Sequence, residues 1–452
     1  MEQLARVVDF IKDKEEFMVV CHYDADGLSA GAIISSLLDR LGKKHTVIPT
    51  KQMDSERISL IKEGKNHIFA DFGSGQIPVL EEHLSNYAII DHHATLGETD
   101  KPHFNAHLIG LDGATEISGA GMSYLVAREF GFRDLSAIAI VGAVGDMQDS
   151  TGKLVGFNRE ILADAEKEKV ITAKTDIRLF GRHSRPLKQF LMFASDPIFP
   201  GLTGNEDAAV NFLNDLSIPI RRGDEWLRYV DLDDEQKKKL LSGLFVYGKQ
   251  QRVPDRYLKS LVGEVYELTN EQDKSMVKDS KDFATMLNAC GRHEQGKIGL
   301  EVAKGDRDAF YKEAEALLLN HRRMLREGIQ WAKEHGVEDH RTFYLLDAGD
   351  AIKDTLIGVI AGMLYGAQII QQDKPIIGLS FDEEEGKMKA SGRATWPLVR
   401  GGINLGKSLK EAAQAVGGEG GGHNIAAGAH FPPEQRKAFL SELEKLLARK
   451  QI

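Results

Sequence analysis

The sequence predicts an α/β protein: a parallel-sheet domain with a helical insertion, then a long connecting helix and a smaller α/β domain. Three observations point there. The first 156 residues alternate short, almost continuously apolar runs with helix-spaced segments, the pattern of βαβ units whose strands are buried on both faces. Residues 157 to about 280 are more charged, with Lys- and Glu-rich helical segments. Residues 306–335 carry one unbroken helical pattern, after which strand and helix runs resume. At 452 residues and 42% hydrophobic content there is apolar material for two or three domains rather than one core.

In order along the chain, strands are expected at 17–21, 46–49, 68–72 and 87–90. Helical spacing covers 27–41, 54–62 and 117–130, the last with Gly119, Ala120 and Gly121 small enough for close packing. A further apolar run, 137–144, ends at Asp146. Beyond 156, helical segments are broken by "SDPIFPGLTG" and "RRGDEW". The basic stretch "IRLFGRHSRPLK", from Ile177, reads as a nucleic-acid surface or, more commonly for a charge run, as a solvated face. In 306–335, Ala314, Leu317, Leu318, His321, Leu325 and Ile329 make one apolar stripe, and Gly336 supplies the stop signal. Such a helix is about 45 Å long. The smaller domain follows in "TFYLLDAG", a helix over 355–365, "PIIGLSF", "KMKASGRA" and an amphipathic helix over 433–450.

Composition narrows the function classes. No 18 consecutive apolar residues occur, and the opening "MEQLARVVDFIKDKEEF" is a charged amphipathic helix rather than a signal peptide, so a cytoplasmic protein without membrane contact is expected. Cys21 and Cys290 are too far apart for a zinc knuckle and sit among apolar neighbours, as small core side chains do. A net charge of −10 argues weakly against a nucleic-acid coat but leaves room for a local basic groove.

The chemistry lies in four clusters, each where an apolar strand or run is expected to end: "CHYDADG" with His22, Asp24 and Asp26; "IFADFGSG" with Asp71; "AIIDHHAT" with Asp91, His92 and His93; and "IVGAVGDMQD" with Asp146 and Asp149. Ligands of open parallel sheets bind beyond the carboxyl ends of the strands, so the fold itself gathers these groups into one crevice. Crowded carboxylates repel and lose hydration unless cations offset them. Hard oxygens with imidazole and no thiolate suit Mn²⁺ or Mg²⁺. Two such ions would serve phosphoester hydrolysis. Taken singly, Asp26 or Asp146 reads equally well as a helix N-cap, the His-His pair as a surface or hydrogen-bonded pair, and Asp149 as a loop residue.

These residues resemble the four motifs of the DHH phosphoesterase superfamily, and "GGGHNIAAGAHF" resembles the signature of its associated C-terminal domain. "LNACGR", 287–292, is similar to the asparagine-arginine motif of RecJ-type exonucleases, and the whole chain resembles the archaeal RecJ-like single-strand exonucleases of the GINS-associated type. The resemblance implies two Mn²⁺ ions, with Mg²⁺ as the alternative. Asp24 would serve one, Asp26 the other, and Asp71 both, with His92 and Asp146 completing the second site. His22 stands two residues before Asp24, where phosphatase members place their histidine four before, so it either binds the first metal or supports Asp24. Asp91 is expected to orient a histidine, and His93 to lie against the scissile phosphate or the nucleophilic water.

Substrate contacts are expected from Asn288 and Arg292, and in the C-terminal domain from Arg393, Gly420, Gly421, Gly422 and His423. Glycines let backbone N–H groups approach a phosphate, and an arginine forks onto its oxygens. The glycine cluster otherwise reads as a flexible loop. The implied division is a catalytic domain over 1–305, with metal motifs in 1–156 and an insertion over about 190–275, a connecting helix over 306–335, and a substrate-binding domain over 336–452. The implied function is a metal-dependent exonuclease on single-stranded DNA, and RNA as a further substrate, working 5′ to 3′ in replication or repair. The alternatives are a phosphodiesterase for oligoribonucleotides or cyclic dinucleotides, and a replisome scaffold bound to GINS and the replicative helicase.

Overall fold

A computed structural model describes residues 2–51, 58, 61, 65–194, 197–367 and 369–448, and the chain divides into two units, 1–318 and 319–452. The first is built on β1 (Glu16–His22), β2 (Lys44–Thr50), β3 (Asn66–Ala70), β4 (Tyr87–Asp91) and β5 (His103–Asn105), all parallel, in the order β2-β1-β3-β4-β5. From β1 the chain goes first to one side and then to the other, so the crevice beyond the ends of β1 and β3 is the topological switch point. Side chains alternate between two cores. Val19, Cys21, Ile68, Ala70 and Ile90 pack with α1 (Glu2–Asp13) and α2 (Ala25–Arg40), whereas Val20, Phe69, Tyr87 and Ile89 meet Ile77 and Leu80 of α3 (Ile77–His83). Burial on both faces explains the nearly unbroken apolar runs. The three-residue β5 was not among the expected strands, being too short to show a period. The helical spacing expected over 54–62 lies, Ile58 and Ile61 apart, outside the described residues.

One expectation about the motifs is corrected. The apolar run before Asp146 is a helix, α5 (Ser136–Gly145), so Asp146 stands at a helix end and not a strand end. Ala139, Gly142 and Ala143 give the run a helical face that packs on α2 and on α4 (Gly119–Glu129). A Cβ at Gly142 would come within 2.4 Å of the Ala120 Cβ. An apolar run of eight residues does not display its period, and these small residues decide it.

After α6 (Phe157–Lys167), β6 (Ile171–Ile177) pairs antiparallel with β9 (Val262–Leu268), and residues 178–261 hang between the two. They hold a core of their own, with Phe190, Phe199, Leu213, Leu240 and Leu244, around α7 (Glu206–Asp215) and α8 (Asp234–Gln250), and a small hairpin of β7 (Arg221–Arg222) and β8 (Glu225–Trp226).

The basic stretch is neither of the surfaces expected from its charge. Arg178, Arg182, His183 and Arg185 are buried. Arg182, 1% exposed, lies 2.8 Å from Asp176, 2.6 Å from Glu267 and 2.8 Å from Asp279. Arg178 meets Asp149 at 2.6 Å, and His183 meets Glu267 at 3.0 Å. Asp149 is thus a loop residue with a buried partner. Glu267 comes from β9 and Asp279 from the N-cap of the helix Ser280–Arg292, 85 and 97 residues from Arg182, which is why local composition reads as a solvated face.

Two further helices, α9 (Ser280–Arg292) and α10 (Gly296–Lys304), pack on α2. The 27-residue α11 (Ala309–His335) ends at Gly336, whose φ of +85° suits a glycine C-cap. The second unit has a mixed sheet in the order β10-β11-β12-β13-β15-β14, formed by Glu338–Asp339, Tyr344–Gly349, Ile376–Asp382, Lys387–Arg393, Ala426–Phe431 and Glu419–Gly422 respectively. Only β11 and β12 pair in parallel. One face carries α12 (Asp354–Gly366), the other α13 (Leu405–Gln414) and α14 (Arg436–Ala448). The glycine cluster is the edge strand β14, paired with β15, and not a flexible loop. Among the described residues no helix is long and apolar enough to cross a membrane.

Candidate metal centre

Three loops at the switch point and the turn after α5 carry the clustered residues. Asp24 is the N-cap of α2: one oxygen accepts the Gly27 N–H at 3.0 Å, and the other lies 2.9 Å from His22 Nδ1. The N-cap alternative weighed for Asp26 therefore belongs to Asp24. Asp26 is buried and caps a different helix, α4, accepting the N–H groups of Gly119 at 2.7 Å and Ala120 at 3.0 Å. Asp71, just past β3, has a φ of +57°, which turns its carboxylate back against Gly119. A Cβ on Gly119 would lie 2.2 Å from Asp71 Oδ1, so the close approach requires glycine.

The last residue of β4, Asp91, is buried and organises the loop that follows. It accepts the backbone N–H groups of Ser74 at 3.0 Å, His92 at 2.8 Å and His93 at 3.2 Å, and meets His93 Nδ1 at 2.8 Å. His92 Nδ1 lies 2.7 Å from the Gly113 carbonyl. A carbonyl only accepts, so Nδ1 carries the proton and Nε2 is presented to the centre. There Nε2 is 3.1 Å from Asp71 Oδ1 and 3.7 Å from Asp26 Oδ2. Asp146, arriving from the end of α5, stands 3.9 Å from His92 Nδ1.

Two sets of ligand atoms result. One atom each from His22, Asp24 and Asp71 lies within 4.8 Å of the others, and so does one each from Asp26, His92 and Asp146; Asp71 also groups with His92 and His93. The expected residues of the four motifs are thus brought together, with Asp71 grouping with His22 and Asp24 on one side and with His92 and His93 on the other. His22 sits where either expected role is open to it, against Asp24 and within reach of Asp71.

The electrostatics are those of carboxylates short of cations. Burial and the charge of Asp26 push Asp71 up to about 7. Burial likewise pushes Asp146 up to about 7 against the pull of His92, and Asp26 adds to the rise. Although burial opposes a charged imidazole, Asp24 lifts His22 to about 10, and Asp71 lifts His92 well above its usual value. Asp24 and Asp91, despite their burial, are held below the usual carboxylate range by His22 and His93. Asp71 Oδ1, fully buried, faces His92 Nε2 at 3.1 Å and His93 Nδ1 at 3.8 Å. A centre that takes up protons to relieve its own charge, and gathers buried carboxylates and imidazoles within a few ångströms of one another, fits divalent cations with oxygen and imidazole ligands.

Comparison with known proteins gives this geometry a lineage. The DHH-CID domain family matches residues 179–262, and the DHHA1 domain family matches 344–449. An uncharacterized protein of Methanocaldococcus jannaschii is 31% identical over 464 residues, spanning 99% of this chain and 98% of that protein. The crystal structure of RecJ in complex with Mn²⁺ from Thermus thermophilus matches with a TM-score of 0.60 at 16% identity, over 99% of this chain. The chain belongs to the DHH superfamily and has the RecJ-like fold. It spans about half the length of the Thermus RecJ, 54% of that chain. CDC45 from Entamoeba histolytica matches with a TM-score of 0.66 at 15% identity, over 99% of this chain and 98% of that one.

Within this DHH protein, the DHH-CID match coincides with the segment between β6 and β9, and the DHHA1 match with the sheet of the second unit. In that sheet Arg393 ends β13 with its guanidinium against Gly358, where a Cβ would lie 2.6 Å from Nη2. Gly420, Gly421 and Gly422 lie in β14, and His423 is exposed in the turn that follows. In the first unit Asn288 reaches the metal loops directly: its Oδ1 accepts the Ala25 N–H at 3.0 Å, fastening α9 to the first turn of α2. Arg292 is the last residue of α9. The sequence reading passed over Gln148 and Asn158, both buried beside the centre, and Gly113, whose carbonyl orients His92. The one signal for Gln148 is its position two residues past a candidate ligand.

Proposed function

We propose that this DHH protein is a manganese-dependent exonuclease that hydrolyses the phosphodiester bonds of single-stranded DNA, with RNA as a second substrate, from the 5′ end, in DNA replication or repair. The observation that carries the reading is Asp71, common to two three-residue ligand sets. Held by the left-handed turn after β3, it would join one ion bound by Asp24 with His22 to another bound by Asp26, His92 and Asp146. Two bound divalent ions supply a nucleophile from water at neutral pH and offset charge on the phosphoryl oxygens. The chain's own part is orientation. Asp91 fixes the loop and holds His93 by Nδ1; burial disfavours a charged His93, but Asp91 raises its pKa, which favours the imidazolium form toward a phosphate oxygen. Polarity rests on the resemblance of "LNACGR" to RecJ-type nucleases.

In this reading 1–305 is the catalytic domain, with the insertion over about 190–275, 306–335 the connecting helix and 336–452 the substrate-binding domain. Asn288, Arg292, Arg393, the β14 glycines and His423 are assigned to the nucleic-acid backbone. A second reading, a replisome subunit bound to GINS, is favoured by the match to CDC45 along 98% of that chain. The two are compatible, since every expected ligand is present. Purified protein with Mn²⁺ and end-labelled single-stranded DNA and RNA of graded length tests the enzyme reading. Release of the 5′ label first, as a mononucleotide, is the expected result, abolished in Asp24→Ala and His92→Ala. Cleavage of two- to five-residue oligomers alone would favour the small-substrate phosphodiesterase, and full activity in either variant would refute the centre.

A further inference from the structure

We propose that Gln148 is the positioning residue of the second half of the metal centre, holding Asp146 and His92 in one geometry through the Gly113 carbonyl. This deepens the proposed function and rests on its metal reading. Gln148 is 3% exposed and follows Met147, whose φ of +59° is uncommon for a side chain of this kind. That turn sends Met147 outward, 69% exposed, and brings Asp146 and Gln148 to the same inner side.

The amide is fixed at both ends. Gln148 Nε2 lies 2.8 Å from Asp146 Oδ2, 2.8 Å from the Gly113 carbonyl and 3.2 Å from the Ile117 carbonyl, all of which are acceptors, so this atom is the nitrogen. Gln148 Oε1 accepts from Asn158 Nδ2 at 2.6 Å, and Asn158 is fully buried. The Gly113 carbonyl therefore receives His92 Nδ1–H at 2.7 Å and Gln148 N–H at 2.8 Å, using both of its lone pairs. Asp146 needs such support. It is a carboxylate beside the negative end of the α5 dipole, where a charge of its sign is disfavoured, and its side chain is 32% exposed, against 4% for Asp26. A donor from Gln148 offsets that field and selects the Asp146 rotamer.

A glutamate at 148 keeps the shape but turns the donor into an acceptor facing three oxygens. A methionine removes the donor and leaves Asn158 and the Gly113 carbonyl short of a partner. Isothermal titration of the full chain with Mn²⁺ and no substrate separates the two ions by affinity. In Gln148→Glu and Gln148→Met one of the two ions, the one assigned to Asp26, His92 and Asp146, should lose 10- to 100-fold in affinity, as loss of ligand-orienting partners usually costs. Binding of the first ion should stay within about twofold. In turnover, kcat at low Mn²⁺ should fall and recover at saturating Mn²⁺, with KM for the strand unchanged. Asn158→Ala should move the second ion in the same direction by less, which keeps the test available if a Gln148 variant fails to fold. Unchanged affinity at both sites, or equal loss at both, overturns the proposal. A wild-type chain that binds no Mn²⁺ overturns the metal reading itself, and this proposal with it.

Discussion

Replacing the shared carboxylate should stabilise the metal-free protein while destroying its metal binding. Asp71 is 1% exposed, and burial with the charge of Asp26 moves it from 3.8 to about 7. A carboxyl whose folded pKa is raised contributes stability at low pH that is lost as the pH rises through the folded value, because the native state then holds a proton the unfolded chain has released. Ionising it in the fold costs about 4 kcal/mol at pH 8, three pH units at about 1.4 kcal/mol each, and about 2 kcal/mol at pH 5, where only the unfolded chain is ionised. Asp71→Asn removes that cost at similar volume, and asparagine tolerates the left-handed backbone. In urea unfolding with EDTA, the variant's advantage over the wild type should grow by about 2–3 kcal/mol between pH 5 and pH 8. Using the difference between the two pH values cancels any constant effect of asparagine in the turn. An advantage that is absent, or the same at both pH values, would show that Asp71 is not held against its charge, and would remove the electrostatic case for cations at this point.

Two other outcomes follow from the buried charges. Mn²⁺ binding should release protons around neutral pH, because Asp71 and Asp146, each pushed up to about 7, are partly protonated before the metal arrives. Affinity should therefore fall as the pH drops below 7, and titrations in buffers of different ionisation enthalpy should give different apparent heats; identical heats would contradict the shifts. Arg182→Met should cost about 3–5 kcal/mol in urea unfolding, since it strands Asp176, Glu267 and Asp279 without their guanidinium. A loss under about 1 kcal/mol would mean that the cluster is wet enough to do without it.

What the sequence shows and hides has a physical pattern. His22, Asp24, Asp26, Asp71, Asp91, His92 and His93 are legible because a parallel sheet delivers strand ends to one crevice, so adjacency in space follows from the motif order alone. Asp146 is legible as a member of the clustered residues but not as a helix end, because the run before it is short and apolar all round. Arg178 and Arg182 are misread because, Asp176 apart, their charge is balanced by residues 29, 85 and 97 positions away, which composition does not see. Gln148 is hidden for another reason. A neutral amide matters by which atom faces which, and sequence does not carry that orientation. Asn288 lies between the cases: its motif is visible, but its bond to the Ala25 N–H depends on α9 returning to the first turn of α2 across 263 residues.

The turn after α5 joins these threads. Four consecutive residues face four environments: Asp146 the candidate metal centre, Met147 the surface, Gln148 the buried carbonyl that orients His92, and Asp149 the Arg178 guanidinium. Arg178 is the first residue after β6, at the root of the segment matched by the DHH-CID family, and it also holds the Asp149 carbonyl at 2.7 Å. Loss of either partner of a buried, charged, two-point bond of this kind leaves the other charge buried and uncompensated, so the bond fixes register at the place where the insertion leaves the ribbon. The insertion is therefore anchored three residues from a candidate metal ligand. Its removal would leave the Asp149 carboxylate without its cation at the end of the same turn that aims Asp146, so the insertion and the centre are mechanically one structure even though their apolar cores are separate.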